Sequence, residues 1–312
     1  MSKLDRKYRL LLVDDEPRVT SSLHAIFRRD YDVYIAHGGS QALELLKTTQ
    51  IDVVVSDQRM PGMLGNELLA EISREYPNTM RILLTGFMDK QAIVDSINEG
   101  EIYRFINKPW NNDEMRDLVS EAAQASELEF ESSVNDQAIE SEKTETTVVI
   151  PKDQALLMVE QKKDVRHQIR KFCSKHKIMI YGTQNIEQAV VAANTRKNIG
   201  VAIVELSVDP KGALQTINLL KQARPELITI ALADELDAYT AIDLINQGQV
   251  FKYLTKPIEI NSFQKTVYNA FKRHNFLKKN KIATQRYKVE KHKDKIVDSL
   301  QSLFHVFLKS KT

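Results

Sequence analysis

Short apolar runs alternate with amphipathic stretches of helical spacing through the first 120 residues. Five runs read as strands, at residues 9–13, 32–36, 51–55, 80–84 and 104–106. Helical patterns follow them at residues 19–27, 40–46, 65–75, 90–98 and 113–125. Because nearly continuous apolar strands alternate with helices, the pattern predicts a parallel sheet covered on both faces. Five such units predict a flavodoxin-like, doubly wound α/β domain.

The same alternation begins again after residue 150. Strand-like runs lie at residues 156–159, 178–181, 200–205, 227–232 and 250–254. At a fixed offset of 148 positions many residues are identical between the two halves, including Pro77 with Pro225 and the Lys108-Pro109 pair with Lys256-Pro257. So many matches in one register predict two copies of one fold, each with a five-stranded parallel sheet.

The segments outside these copies are strongly charged. The whole chain has a net charge of only +2, yet residues 121–145 carry −7 and residues 271–312 carry +9. Blocks of like charge are typical of linkers and tails. The 312 residues therefore divide into a first domain at 1–125, an acidic linker at 126–150, a second domain at 151–275 and a basic helical tail at 276–312. The linker is expected to be helical at its start, as a continuation of the preceding helix.

The C-terminal region predicts a long helix. No Gly or Pro occurs after Pro257, and Asn261 and Ser262 are candidate N-caps for a helix reaching about residue 308. Apolar residues at near-heptad spacing make this tail a candidate coiled coil, and hence a candidate homodimer interface. They are Ile296, Leu300, Leu303 and Phe307.

Composition excludes several classes of protein. No apolar stretch is long enough for a transmembrane helix, and the N-terminus lacks the pattern of a secretory signal. The single cysteine, Cys173, excludes a disulfide framework and a cysteine-based zinc site. These features predict a cytoplasmic protein without a membrane partner.

Candidate chemistry in the first copy lies at the ends of four predicted strands. Asp14 and Asp15 follow the first strand, Asp57 the third, Thr85 the fourth and Lys108 the fifth. An open α/β sheet binds ligands at this edge. Converging carboxylates repel one another, and oxygen ligands without Cys or paired His suit Mg²⁺. A carboxylate beside Mg²⁺ can attack a phosphoryl group, so the set predicts an aspartyl-phosphate site.

The motifs LLLVDDEP, SDQRMPGM, LLTG and FINKPW, in this order over residues 8–125, resemble the receiver domain of two-component response regulators. The resemblance implies that Asp57 is the phosphoacceptor. It also implies that Asp14, Asp15, Asp57 and the backbone carbonyl of Arg59 hold Mg²⁺.

The resemblance assigns three further residues to the phosphoryl group. Thr85 and Lys108 would bind it, and Phe105, three residues before the lysine, would be the switch aromatic. Phe105 has an alternative interpretation as an ordinary core residue.

The second copy lacks most of this chemistry. At the offset of 148, Glu205 replaces Asp57 and Ala233 replaces Thr85, while Lys256 is retained and Tyr253 stands for Phe105. The acidic pair aligns with Val159 and Glu160. This copy therefore resembles a degenerate receiver that is not phosphorylated. Either Lys256 pairs with Glu205 and fixes one conformation, or Lys256-Pro257 merely ends a strand and Glu205 is solvated.

The resulting functional hypothesis is a phosphorelay response regulator. Its phosphoryl donor would be a histidine kinase or a histidine phosphotransfer protein, and its output a contact with a downstream protein or a change in dimerisation. One alternative is a nucleic-acid-binding regulator that uses the basic tail, although the sequence contains no helix-turn-helix pattern and few aromatics among the basic residues. Another alternative is the N-terminal part of a larger regulator.

Overall fold

A computed structural model describes residues 6–86, 93, 97–98, 102–137, 153–235, 238–248, 250–279 and 284. The chain forms two compact units, each built on its own five-stranded sheet. Three predicted segments lie mainly outside the described residues: the helix at residues 90–98, the linker beyond residue 137 and the tail beyond residue 279. No described helix is both long enough and apolar enough to cross a membrane.

The first unit alternates strands and helices as the sequence predicts. Its elements are β1 (Tyr8–Val13), α1 (Pro17–Phe27), β2 (Tyr31–Ala36), α2 (Gly39–Thr48), β3 (Val53–Asp57), α3 (Gly65–Glu75), β4 (Met80–Thr85), β5 (Arg104–Asn107) and α4 (Asn112–Gln137). The strands are parallel in the order β2-β1-β3-β4-β5, which is the flavodoxin-like order.

Burial explains why this sequence forms this sheet. Every residue of β3 and β4 is buried, and so are the last four of β1. These central strands are covered by helices on both faces, and their sequences are accordingly near-continuous apolar runs. Helix α3 contributes one apolar stripe, with Leu68, Leu69 and Ile72 buried at helical spacing.

The second unit repeats the architecture. From residue 155 onward the elements, in chain order, are β6 (Ala155–Val159), α5 (Lys163–Lys175), β7 (Met179–Thr183), α6 (Ile186–Thr195), β8 (Ile199–Glu205), α7 (Pro210–Ala223), β9 (Ile228–Ala233), α8 (Ala238–Asp243, continued as a π-helical turn at Leu244–Gly248), β10 (Lys252–Thr255) and α9 (Ile260–Lys279). The strand order is β7-β6-β8-β9-β10, again all parallel. The prediction of two flavodoxin-like domains followed by a long C-terminal helix is confirmed.

Helix α4 is longer than the predicted helix at residues 113–125 and continues into the segment interpreted as a linker. No Gly or Pro interrupts residues 112–137. Two hydrogen bonds anchor the helix to the first unit beyond Ala125. The Ser126 hydroxyl donates to the Asn78 carbonyl at 2.9 Å, and the Tyr8 hydroxyl donates to the Glu127 carboxylate at 2.7 Å. The acidic segment is therefore helical at its start.

The start of the C-terminal helix differs from the prediction. Helix α9 begins at Ile260, and neither Asn261 nor Ser262 is its N-cap. The Glu259 carboxylate accepts hydrogen bonds from the backbone N–H groups of Asn261 and Ser262 at 3.0 and 2.5 Å. A carboxylate satisfies the free N–H groups of a first turn as well as a hydroxyl or amide does, so residue preference placed the cap two or three positions too late.

Candidate functional site

Four strands of the first unit end at one edge of the sheet and place the predicted site residues there. Asp14 follows β1, Asp57 and Thr85 are the last residues of β3 and β4, and Lys108 follows β5. Val13 on β1 pairs with Ser56 on β3, so the next residues, Asp14 and Asp57, lie on neighbouring strand ends. Both carboxylates are almost completely buried.

The Lys108 side chain joins the two carboxylates. Its ammonium lies 2.7 Å from Asp57 Oδ1 and 3.0 Å from Asp14 Oδ2. Burial lowers the pKa of Lys108, but the hydrogen bonds to Asp57 and Asp14 outweigh this effect, so the net shift is upward. The lysine therefore stays protonated beside the acids.

Backbone bonds fix the other carboxylate oxygens. Asp57 Oδ2 accepts from the Arg59 N–H at 2.9 Å, and Asp14 Oδ1 accepts from the Glu16 N–H at 2.9 Å. The Lys108 N–H donates to the Thr85 carbonyl at 2.7 Å. These bonds hold the loops after β1, β3 and β5 in place, and they leave Asp14 Oδ2 and Asp57 Oδ1 facing the Lys108 ammonium.

The remaining predicted residues surround this centre. The Thr85 side chain is buried, and its hydroxyl donates to the Gly86 carbonyl at 3.0 Å. Asp15 is partly exposed. Phe105 lies in β5 and is buried, a position that suits the core interpretation.

The acidic residues have the chemistry of a hydrated cation site. Among the described residues no three Asp, Glu, His or Cys side chains converge closely enough to enclose a metal ion. Mg²⁺ in proteins usually takes one or two carboxylates and keeps several waters. Asp14 and Asp57 already direct oxygens at one cation, the Lys108 ammonium. The three aspartates, including Asp15, and Lys108 together carry a net charge of −2. A divalent cation would neutralise this charge.

The second unit keeps the backbone frame of this site. Val159 on β6 pairs with Val204 on β8, as Val13 pairs with Ser56, so Glu160 occupies the place of Asp14. The predicted alignment of the acidic pair with Val159 and Glu160 was therefore wrong by one residue. The 148-residue offset could not place the acidic pair, because β6 and the loop after it are two residues out of register with that offset.

Lys256 occupies the place of Lys108 but has more partners. Its ammonium lies 2.5 Å from Glu205, 3.4 Å from Glu160 and 3.4 Å from Asp234. The Lys256 side chain is only 8% exposed, and Glu205 is buried. The structure therefore has the Lys256–Glu205 ion pair and not a solvated Glu205. Burial lowers the pKa of Lys256, but the three acids outweigh it and the net shift is upward.

Two residues that the sequence analysis did not single out complete this cluster. Lys162 forms an ion pair with Asp234. They follow β6 and β9, which are the two neighbours of β8 in the sheet, so their ion pair crosses the strand end that carries Glu205. The equivalent positions in the first unit hold Glu16 and Gly86. The sequence signals that could have indicated this ion pair are the change from Glu16 to Lys162, which reverses the charge, and the change from Gly86 to Asp234, which adds an acid.

Two further substitutions change the second site. Ala233 ends β9 where Thr85 ends β4, so this strand end has no hydroxyl. Tyr253 is buried in β10 at the place of Phe105, and its hydroxyl donates to the Glu235 carbonyl at 3.2 Å.

Comparison with known proteins agrees with this geometry. The protein-family model described as 'Response regulator receiver domain' matches residues 10–120 of this sequence. Sporulation initiation phosphotransferase F of Bacillus subtilis is 31% identical over 112 residues, which are 36% of this chain and 90% of that protein. The hydrogenase transcriptional regulatory protein HoxA of Cupriavidus necator is 34% identical over 125 residues, or 40% of this chain. The chain spans only 26% of that regulator's length.

A solved structure, the signal receiver domain of an HD domain-containing protein from Pseudomonas fluorescens Pf-5, is 38% identical. It covers 39% of this chain and 98% of its own, with a TM-score of 0.38. The fold and the acidic strand-end site define a signal receiver class of protein. Through its first unit, the chain belongs to the response regulator receiver family. A receiver domain catalyses no reaction beyond its own phosphorylation.

Proposed function

We propose that this chain is a phosphorelay response regulator whose first unit accepts a phosphoryl group on Asp57. The observation that carries the proposal is the Lys108 ammonium between Asp57 and Asp14. Receiver domains interact with histidine kinases or phosphotransfer proteins, and one of these would be the donor. A downstream protein would read the result.

The residues of the first unit have clear tasks in such a transfer. One Asp57 carboxylate oxygen attacks phosphorus, and the bond between phosphorus and the donor's histidine nitrogen breaks, so that the histidine leaves with its electron pair and takes up a proton. Asp14, Asp15, Asp57 and the Arg59 carbonyl would hold Mg²⁺. The bound ion would neutralise charge on the phosphoryl oxygens.

Phosphorylation of Asp57 would change the contacts of its neighbours. The Lys108 ammonium would exchange its contact with the carboxylate for one with a phosphoryl oxygen, which is a charge-assisted bond. The Thr85 hydroxyl would leave the Gly86 carbonyl for another phosphoryl oxygen. Phe105 is buried on β5, three residues before Lys108, and its displacement would transmit the signal.

The second unit, in this proposal, is a degenerate receiver without a phosphoryl group. Three features support this. Lys256 is already surrounded by Glu160, Glu205 and Asp234. The Lys162–Asp234 ion pair crosses the end of β8. Ala233 supplies no hydroxyl to bind a phosphoryl oxygen. The site therefore provides its own cations in place of a metal.

We also propose a domain organisation for the whole chain. The receiver comprises residues 1–125, an acidic linker 126–150, the degenerate receiver 151–275 and a basic tail 276–312. The tail would form a homodimer through its apolar stripe, and phosphorylation would change the contacts of the domains or of the dimer.

The test is metal-dependent phosphorylation of the full chain by acetyl phosphate, followed by intact mass. We expect one added phosphoryl group with Mg²⁺ and none with a chelator. Asp14→Asn should slow labelling by about tenfold or more, equivalent to about 1.4 kcal/mol or more, because it removes a negative charge from the cation site. The matched control, Glu160→Gln, changes the equivalent residue of the second unit and should leave labelling unchanged. Labelling without a metal, or equal loss in both variants, would contradict the proposal.

A further inference from the structure

Two buried carboxylates meet at the carboxyl edge of the second sheet. Glu160 follows β6 and is 1% exposed, and Glu205 ends β8 and is 7% exposed. They lie on adjacent strand ends, one residue beyond the Val159–Val204 pair. Lys256 contacts both, so two buried acids share one ammonium and the trio has an excess negative charge.

The hydrogen bonds of the two carboxylates are unequal. Glu205 Oε1 accepts from the Ser207 N–H at 2.7 Å, and Glu205 Oε2 accepts from Lys256 at 2.5 Å. Glu160 Oε1 accepts from the Lys162 N–H at 2.7 Å. Glu160 Oε2 is buried without a hydrogen-bond donor, because the Lys256 ammonium at 3.4 Å is not directed at it. A buried ionised oxygen without a donor is destabilising.

We propose that Glu160 and Glu205 bind one proton between them, carried on Glu160, beside Lys256. Protonation turns the Glu160 oxygen that lacks a donor into a hydroxyl that donates to the Glu205 carboxylate. It also removes the excess charge, since one carboxylate then faces one ammonium. The proton and Lys256 together neutralise the two carboxylates, as a divalent cation would neutralise the acids of the first unit. The inference stands on the second unit and does not require Asp57 to be phosphorylated.

The surrounding charges are consistent with this arrangement. Lys256 follows β10, while Asp234 after β9 and Lys162 after β6 largely neutralise one another as an ion pair. The neighbouring acids Glu187 and Asp209, at the starts of α6 and α7, line a cavity of about 230 Å³ together with Glu160 and Glu205. Negative charges on this side favour uptake of a proton by the pair.

The two acids are perturbed in opposite directions, as expected of carboxyls that share a proton. Burial, aided by the neighbouring Glu205, raises the pKa of Glu160. Burial on its own would also raise the pKa of Glu205, but the hydrogen bonds from Lys256 and Ser207 outweigh it and lower that pKa.

This arrangement makes the second unit respond to pH. Glu160 has a higher pKa in the folded than in the unfolded chain, so the folded state binds more protons between the two values. The proton therefore stabilises the second unit at low pH, and this stabilisation is lost as pH rises through the folded pKa of Glu160. Deprotonation restores two adjacent buried carboxylates at the end of β6 and β8.

The direct test is a ¹³C NMR titration of the glutamate side-chain carboxyls in the full chain. We expect one carboxyl, absent from the spectrum of Glu160→Gln, to titrate above the ordinary glutamate value of about 4.3. The proposal is overturned if the Glu160 carboxyl titrates at or below that value.

A pair of variants gives a second test that does not depend on the assignment of NMR signals to individual glutamates. Glu160→Gln imitates the protonated acid, so at pH 8 the second unit should unfold at an equal or higher urea concentration than in the unsubstituted chain. Glu205→Gln removes the main partner of Lys256 and should lower the urea midpoint. If both variants lower it equally, the carboxyls do not share a proton. Acetyl phosphate labelling of Asp57 should be unchanged in both, so failure here is distinguishable from failure of the proposed function.

Discussion

At the scale of single residues, two lysines at the same backbone position have different surroundings. The N–H of Lys108 donates to the Thr85 carbonyl, and that of Lys256 donates to the Ala233 carbonyl. The Lys108 side chain is 25% exposed and binds two acids, whereas the Lys256 side chain is 8% exposed and binds three. In the proposed transfer the first lysine would move to the phosphoryl oxygen, while the second is held by three acids.

A third lysine predicts an unusual pH dependence. The Lys221 ammonium of α7 is buried and donates to the Leu227 carbonyl at 2.6 Å. Burial, together with the nearby Arg273 cation, lowers the pKa of Lys221 to about 7. The unfolded value is about 10.4. Between pH 7 and about 10.4 the unfolded chain therefore holds more protons, and the free energy of unfolding should rise with pH by at most about 1.4 kcal/mol per unit.

This dependence is measurable by hydrogen exchange of the β9 amides, corrected for the intrinsic effect of pH. Lys221→Met should remove the rise between pH 7 and pH 9, because methionine fills similar space without a titrating group. Lys211→Met, at an exposed position of the same helix, is the control and should retain it. An equal slope in both variants would show that Lys221 titrates at an ordinary pH.

At the scale of elements, the periodicity of the sequence predicted the strands and helices, but not the features that depend on contacts between residues distant in sequence. The central strands were found because burial on both faces requires continuous apolar runs such as those of β3 and β8. A helical start of the linker was expected from the sequence, but its length was not, and the bonds of Ser126 and Glu127 to distant residues stabilise it. Likewise Lys162 and Asp234 are 72 positions apart, and only the sheet order brings them together.

The C-terminal helix carries a prediction about association. The apolar stripe of Ile296, Leu300, Leu303 and Phe307 lies outside the described residues and remains a prediction. Within them, Leu277 of α9 is completely buried in the core of the second unit, and Asn275 bonds to Gln154. A truncation that tests the stripe must therefore keep α9 through Lys279.

We expect the full chain to sediment as a dimer at micromolar concentration and the chain truncated after Lys279 to sediment as a monomer. Burial of the stripe between two chains would remove an apolar surface from water. Salt should strengthen the dimer, because it screens repulsion among the basic residues of the tail. Two monomers would assign the stripe to an intramolecular contact or to another protein.

At the scale of the whole molecule, one fold occurs twice, and only the first copy carries the receiver motifs DD, D, T and K at its strand ends. The repeat at 148 positions predicted both sheets, and the motifs of the first copy predicted which side chains meet at its carboxyl edge. The sequence offered the Lys256–Glu205 pair as one of two alternatives, but it did not predict that Lys162 and Asp234 join these residues and Glu160 in one cluster. Strand order decides that arrangement, because Lys162 and Asp234 meet only where β6 and β9 flank β8.

The central claim is that the chain carries one phosphoryl group and that Asp57 is its position. The most direct measurement is the intact mass of the full chain and of Asp57→Asn after incubation with acetyl phosphate and Mg²⁺. The account predicts a single added phosphoryl group on the unsubstituted chain and none on the variant, because only the first unit combines the acids, Thr85 and an accessible Lys108. A phosphoryl group on the variant, at Glu205 or elsewhere, would contradict it.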